Sequence, residues 1–355
     1  MKKILCLLLL LALALSLGAC GARDLPPVME YGGLRLDGEV YSYWLSCYRA
    51  QFAYQETAEN RARLAELTDL NIQKTLVAAA TFDSYGLQLD TAARDIINAA
   101  MASLVENNGG TRETLEQAAA AYGIGYDGLR LAITYEQKAQ ALFNYLFGAN
   151  GAYAVTDEEC EAYYQSTYVR VQMIYIPYVD FVLNEDGDRI WDQASGQYLY
   201  TEKTGTALLD QQGKAQAVRD ALVNCYTQKE FAALMEQYNE DPAAKSYPSG
   251  YYFSSEVDYN DYIPALTEVA LTLAPDERAE VKTAYGVHFL LALPCDEGAY
   301  AREESADFFD GFAERLSRRL YEGLIEKSLP GVTVYREEKS KYRYEDAVPN
   351  FDLYW

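Results

Sequence analysis

The apolar residues of this chain change their spacing twice, and that restricts the folds open to it. From Tyr41 to Phe147 they recur at helical intervals, and the last stretch sets Leu129, Ile133, Phe143 and Phe147 broadly on one side. Breaks fall at Tyr85-Gly86-Leu87, at 107–110 and at 122–125, where helix-terminating residues cluster. From Val169 to Tyr178 the spacing shortens to alternation among branched and aromatic residues, which predicts a strand. After Pro294 it lengthens again. Phe308, Phe312, Leu316, Leu320 and Leu324 follow every four residues and make a stripe that needs a partner.

Between those limits the signals are local. Thr156 and Glu159 form a capping box that starts a helix carrying Tyr163 and Tyr164. Two turn signals, at 184–187 and 194–196, separate short strand-like runs, so 179–206 is expected to be an inserted hairpin. A helix follows over Gln212–Tyr226, and Thr227 with Glu230 caps the next, whose apolar face is Phe231, Leu234, Met235 and Tyr238. A short helix near Pro264–Leu271 precedes closing strands near Arg278–Lys282 and Val287–Leu293. The fold class expected is α+β: a small sheet with surrounding helices, inserted between two halves of an α-helical domain. Its parts are a tether with a short strand at Gly33–Leu36 (21–37), helices over 38–165, the α+β domain over 166–297, and a returning helix and strand over 298–355. The returning stripe is expected to pack on the N-terminal helices, with a last strand at Val332–Tyr335.

The chain opens Met1-Lys2-Lys3, runs through about 14 almost wholly apolar residues, and reaches Leu17-Gly18-Ala19-Cys20. That run is short of the roughly 20 residues a spanning helix needs. Residues 1–20 therefore read as a lipoprotein signal with a lipobox. Cys20 would become the lipidated N-terminus, holding the protein to the extracytoplasmic face of a bacterial cell membrane. A formal charge of −23 argues against nucleic acid as a partner. Cys47, Cys160, Cys225 and Cys295 are scattered without a Cys-x-x-Cys, and with one histidine they exclude the usual zinc spacings. One or two disulfides stay open to them, buried free thiols being preferred. No metal or cofactor is expected.

The one histidine, His288, lies in Thr283-Ala-Tyr-Gly-Val-His288, where a tight Tyr-Gly corner delivers an imidazole into an apolar strand. Some forty residues earlier the helix starting at Phe231 ends in Asn239-Glu240-Asp241. Together these stretches resemble the second half of a parvulin-type peptidyl-prolyl isomerase domain, and the order of parts is similar to PrsA/SurA-type foldases. The parvulin part matches by motif, roughly 166–297, and the helical part by layout only.

The resemblance implies an enzyme that twists X-Pro bonds, whose barrier near 20 kcal/mol makes them slow unaided. It places Asp241 beside the substrate carbonyl, and His288 with Thr283 in a hydrogen-bond network under the site. An apolar slot would hold the proline ring, with Tyr262 and Leu266 in it and Tyr251 and Phe253 on the loop that closes it. The first of the family's two histidines falls at Met173, which cannot share a proton with His288, so half of the network is replaced. The hairpin at 179–206 is a second departure. The implied partners are unfolded or newly secreted polypeptides containing proline, and a membrane through the lipid on Cys20.

Other patterns fail. Gly123-Ile-Gly-Tyr-Asp-Gly128 fits G-x-G-x-x-G but stands between helices. No Gly-x-Ser-x-Gly accompanies the histidine. The 184–188 segment lacks calcium-loop spacing and reads as a turn. Three functions remain: a lipid-anchored foldase that isomerises prolyl bonds, a non-catalytic chaperone on a degenerate parvulin fold, and a lipoprotein with a structural or solute-binding role.

Overall fold

The computed structural model describes residues 25–192, 194–256 and 264–353, which form two compact units. One comprises the chain up to Ala154 and again from Ser317. The other runs from Val155 to Leu316 and so interrupts the first in sequence.

In the first unit β1 (Pro27–Tyr31) turns back onto β2 (Leu34–Asp37), and β11 (Thr333–Val334) joins the far side of β1, all antiparallel. β2 and β11 fall where strands are expected and β1 does not, because two prolines ahead of Val28 mask its signal. Proline is tolerated at a strand's first residue, where Pro27 stands. Asp37 then caps α1 (Gly38–Phe52), its side chain accepting from the Val40 N–H at 3.0 Å. The helices α2 (Arg61–Ser84), α3 (Thr91–Asn107), α4 (Arg112–Ala119) and α5 (Tyr126–Phe147) follow, broken at the three places expected and also between Phe52 and Arg61. Tyr41, Trp44, Ile72, Leu76 and Ile133 are buried in one core.

In the second unit α6 (Asp157–Thr167) starts at the Thr156–Glu159 capping box and feeds β3 (Tyr168–Pro177). The hairpin region is two short ribbons: β4 (Val179–Phe181) with β7 (Tyr200–Glu202), and β5 (Trp191–Asp192) with β6 (Gln197–Tyr198). The helix α7 (Gly205–Leu222) begins earlier than expected, and α8 (Gln228–Tyr238) begins at the Thr227 box. Then come β8 (Tyr251–Ser254), α9 (Pro264–Ala270), β9 (Arg278–Thr283) and β10 (Gly286–Leu293). The sheet order is β8-β3-β10-β9, antiparallel throughout.

Strand alternation divides this sheet into two faces. Ile174, Ile176, Val287, Phe289 and Leu291 pack on Ala215, Val218 and Phe231 of α7 and α8. The opposite face carries Val171, Met173, Val281, Leu290 and Ala292 against Leu266 and Ala270 of α9.

The apolar stripe after Pro294 is shared between the units instead of packing wholly on the N-terminal helices. Phe308, Phe312 and Leu316 are buried in the second core, beside Tyr251, Tyr252 and Tyr168. Further along α10 (Phe312–Glu326), Ile325 and Tyr321 pack in the first unit, Tyr321 with its ring 5.4 Å from Phe143. The four-residue spacing does not start as α-helix, because Phe308 ends a 3-10 turn (Glu303–Phe308).

At the β9–β10 corner Gly286 has φ 152°, and a Cβ there would lie 2.2 Å from the Ile176 carbonyl oxygen. Gly286→Ala is expected to destabilise the second unit by roughly 2–3 kcal/mol. Gly213, mid-helix with open space around it, should do the opposite when changed to Ala, gaining roughly 0.5–1 kcal/mol. Urea unfolding of the two variants beside the parent checks both signs.

Candidate functional site

Register places the candidate residues together. His288 is paired with Tyr175 and with Val281, Leu290 with Met173, and Val171 with Tyr251. Paired residues share a face and so do alternate ones along a strand. Thr283, His288, Met173, Tyr251 and Phe253 therefore lie on the sheet face that α9 covers. Leu266 of α9 belongs to the same cluster as Met173, Tyr251 and Phe253. These four are 5%, 2%, 1% and 2% exposed for Met173, Tyr251, Phe253 and Leu266, so they make a packed floor rather than an open groove. Tyr262 and Cys20 lie outside the described residues.

His288 is buried and bonded on both ring nitrogens. Nε2 is 3.2 Å from Thr283 Oγ1, and Nδ1 is 3.3 Å from Met173 Sδ. Its ring stacks on Tyr175 with centroids 4.5 Å apart and planes 13° from parallel. Burial drives the imidazole pKa down to about 3, and the Arg189 guanidinium adds to the effect. The ring is therefore neutral and carries one proton. With that proton on Nδ1, the thioether accepts it and the Thr283 hydroxyl donates to Nε2, while Thr283 Oγ1 accepts from the Tyr285 N–H at 3.2 Å. That tautomer leaves neither nitrogen without a partner.

Asp241 reaches the same neighbourhood through the loop after α8. Where β8 stops pairing with β3, beyond Val171, the outer edge of β3 is taken by this loop. The Tyr175 N–H donates to Asn239 Oδ1 at 2.8 Å, and the Glu240 N–H donates to the Tyr175 carbonyl at 3.0 Å. Asn239 Oδ1 also accepts from the Asp241 N–H at 3.1 Å. The Asp241 carboxylate then accepts from the Ala243 N–H at 3.1 Å and the Tyr251 hydroxyl at 2.5 Å. Tyr175 is thus the joint: its ring carries His288, and its backbone carries the Asp241 loop. Sequence reading passed over both Tyr175 and Asn239. An asparagine closing a helix next to an acidic pair was the available signal.

The inserted ribbons stand on the same corner. Tyr285, between Thr283 and His288, packs against Phe181, Tyr198 and Tyr200 at 5.2, 6.4 and 5.5 Å, and its hydroxyl accepts from the Tyr198 N–H at 2.9 Å. Arg189 lies over Phe181 at 4.1 Å. Among the described residues no cluster of three or more His, Cys, Asp or Glu side chains could hold a metal, and no helix is long and apolar enough to cross a membrane. Cys47, Cys160, Cys225 and Cys295 are all free thiols.

No protein-family model and no curated protein matches the chain. Five matching solved structures are PrsA proteins, foldases or peptidylprolyl isomerases by name or PrsA alone. PrsA from Bacillus subtilis is 15% identical, over 79% of this chain and 86% of that one, with a TM-score of 0.23. Foldase protein PrsA from Streptococcus pneumoniae is 14% identical over 83% and 94%, at 0.23. Peptidylprolyl isomerase (PrsA) from Bacillus cereus is 14% identical over 83% and 89%, at 0.26.

Between pH 6.5 and about 3 the unfolded chain binds a proton on His288 that the folded chain refuses. Stability of the second unit should then fall on acidification, by roughly 1.4 kcal/mol per pH unit below the ordinary histidine value. His288→Gln should lack this component. Urea unfolding of both proteins at pH 7.5 and 5.0 compares the two slopes.

Proposed function

We propose that this chain is an extracytoplasmic foldase, anchored by lipid on Cys20, that accelerates cis–trans isomerisation of X-Pro bonds in secreted or envelope proteins. The observation that carries the reading is the Tyr175 joint, which brings an acidic loop and a neutral, hydrogen-bonded imidazole to one sheet face beside an apolar cluster. Prolyl isomerisation needs no nucleophile and no metal. It needs a grip on the pyrrolidine and polar groups that favour the twisted amide over the planar one. Asp241 would stand by the carbonyl, where a carboxylate disfavours the partly negative oxygen of the planar amide. His288 and Thr283 would support it from below, and Met173, Phe253, Leu266 and Tyr262 would shape the slot. In this reading 166–297 is a parvulin-type domain between two parts of a helical chaperone domain.

A second reading, a chaperone that binds unfolded clients without turnover, is favoured by two observations. A thioether faces His288 in place of a second imidazole, and the slot residues are buried. A protease-coupled assay on proline tetrapeptides separates the two. The isomerase reading expects acceleration by the mature protein, a loss of roughly tenfold or more in Asp241→Ala, and a gain in Met173→His. Turnover equal to buffer, with suppression of client aggregation intact, selects the chaperone.

Lipidation has its own test. In a bacterial host the full chain should incorporate labelled fatty acid and sediment with membranes. Cys20→Ser should abolish the label, and the label persisting in that variant would refute the anchor.

A further inference from the structure

We infer that Tyr251 is the positioning residue for the Asp241 carboxylate, acting through its hydroxyl instead of lining the slot. This rests on the isomerase reading. Asp241 precedes a 3-10 turn, Pro242–Lys245, and the turn needs only one carboxylate oxygen: Oδ1 accepts from the Ala243 N–H. The turn makes no use of Oδ2. That oxygen accepts from Tyr251, ten residues on, at 2.5 Å, the length of a strong O–H···O⁻ bond.

Tyr251 is built to hold still. It sits in β8 opposite Val171 and is 2% exposed. Its ring meets Tyr247 at 5.6 Å and 62°, and Phe308 at 6.1 Å and 88°. Asp241 is half-buried and stands on a loop. The χ2 of an aspartate is a broad, weakly restricted torsion, so without the phenol only the Ala243 N–H, through Oδ1, restrains the carboxylate. With it, the carboxylate is oriented from the sheet that also carries His288 and Met173. A carboxylate that acts on the twisting amide must point correctly in the transition state, and misorientation there lowers kcat without weakening the apolar grip that sets KM.

The test is a cycle on the mature protein with proline tetrapeptides: Tyr251→Phe, Asp241→Ala and the double variant, with kcat and KM measured separately. Tyr251→Phe keeps the ring and is expected to lower kcat about fivefold with KM unchanged. In the Asp241→Ala background it should lower nothing further. Tyr252→Phe removes a buried hydroxyl bonded instead to Asp296 at 2.9 Å, and is expected to leave kcat as it was. Losses that multiply in the double variant would overturn the assignment, as would an unchanged kcat in Tyr251→Phe. Absence of turnover in the parent and in Met173→His would overturn the isomerase reading itself, and this assignment with it.

Discussion

The second unit depends on how one strand shares its outer edge. Residues Tyr168 to Val171 of β3 are satisfied by β8, but Tyr175 lies beyond the reach of that strand. Its N–H and C=O face outward from the edge of β3 and are partly buried, where an unpaired backbone group costs roughly 1–3 kcal/mol. Asn239 and Glu240 meet that need. The bonds that complete the strand therefore also fix where Asp241 stands. The position of Asp241 and the satisfaction of this backbone are bound together here, and a loop of different length after α8 would lose both.

Much of the layout was legible because period and capping speak plainly. The helical run to Phe147, the capping boxes at Thr156 and Thr227, and the strands at Val169 and Val287 all follow from spacing and from Thr-x-x-Glu. β10 is buried along its whole length and shows as an apolar run. Three things were not legible. β1 hides behind prolines. The division of the Phe308–Leu324 stripe between two cores, with Leu320 left exposed, cannot be read from a stripe alone, since spacing records neither what buries a face nor that every member of it is buried. The role of Tyr175 is carried by its backbone and its ring face, and nothing in a chain with 32 tyrosines distinguishes that one.

Met173 sets the chemistry of the corner as well as its shape. A thioether is a weak acceptor and never a base, so the imidazole beside it has no partner with which to exchange a proton. Burial and Arg189 push in the same direction, toward a ring that is neutral near pH 7. The histidine is left as a rigid strut between Thr283 and Tyr175. In the isomerase reading, proton exchange at this imidazole is closed, and the weight falls on the acidic loop held by Asn239 and Tyr251.

A chain with a single imidazole carries its own spectroscopic label. Every histidine nitrogen and ring-proton resonance arises from His288, so no assignment is needed to identify it. The parallel stacking on Tyr175 puts those protons within the shielding zone of the phenol. Their frequencies would register any slippage between β3 and β10, or any lifting of the acidic loop, in an otherwise unlabelled 40 kDa molecule.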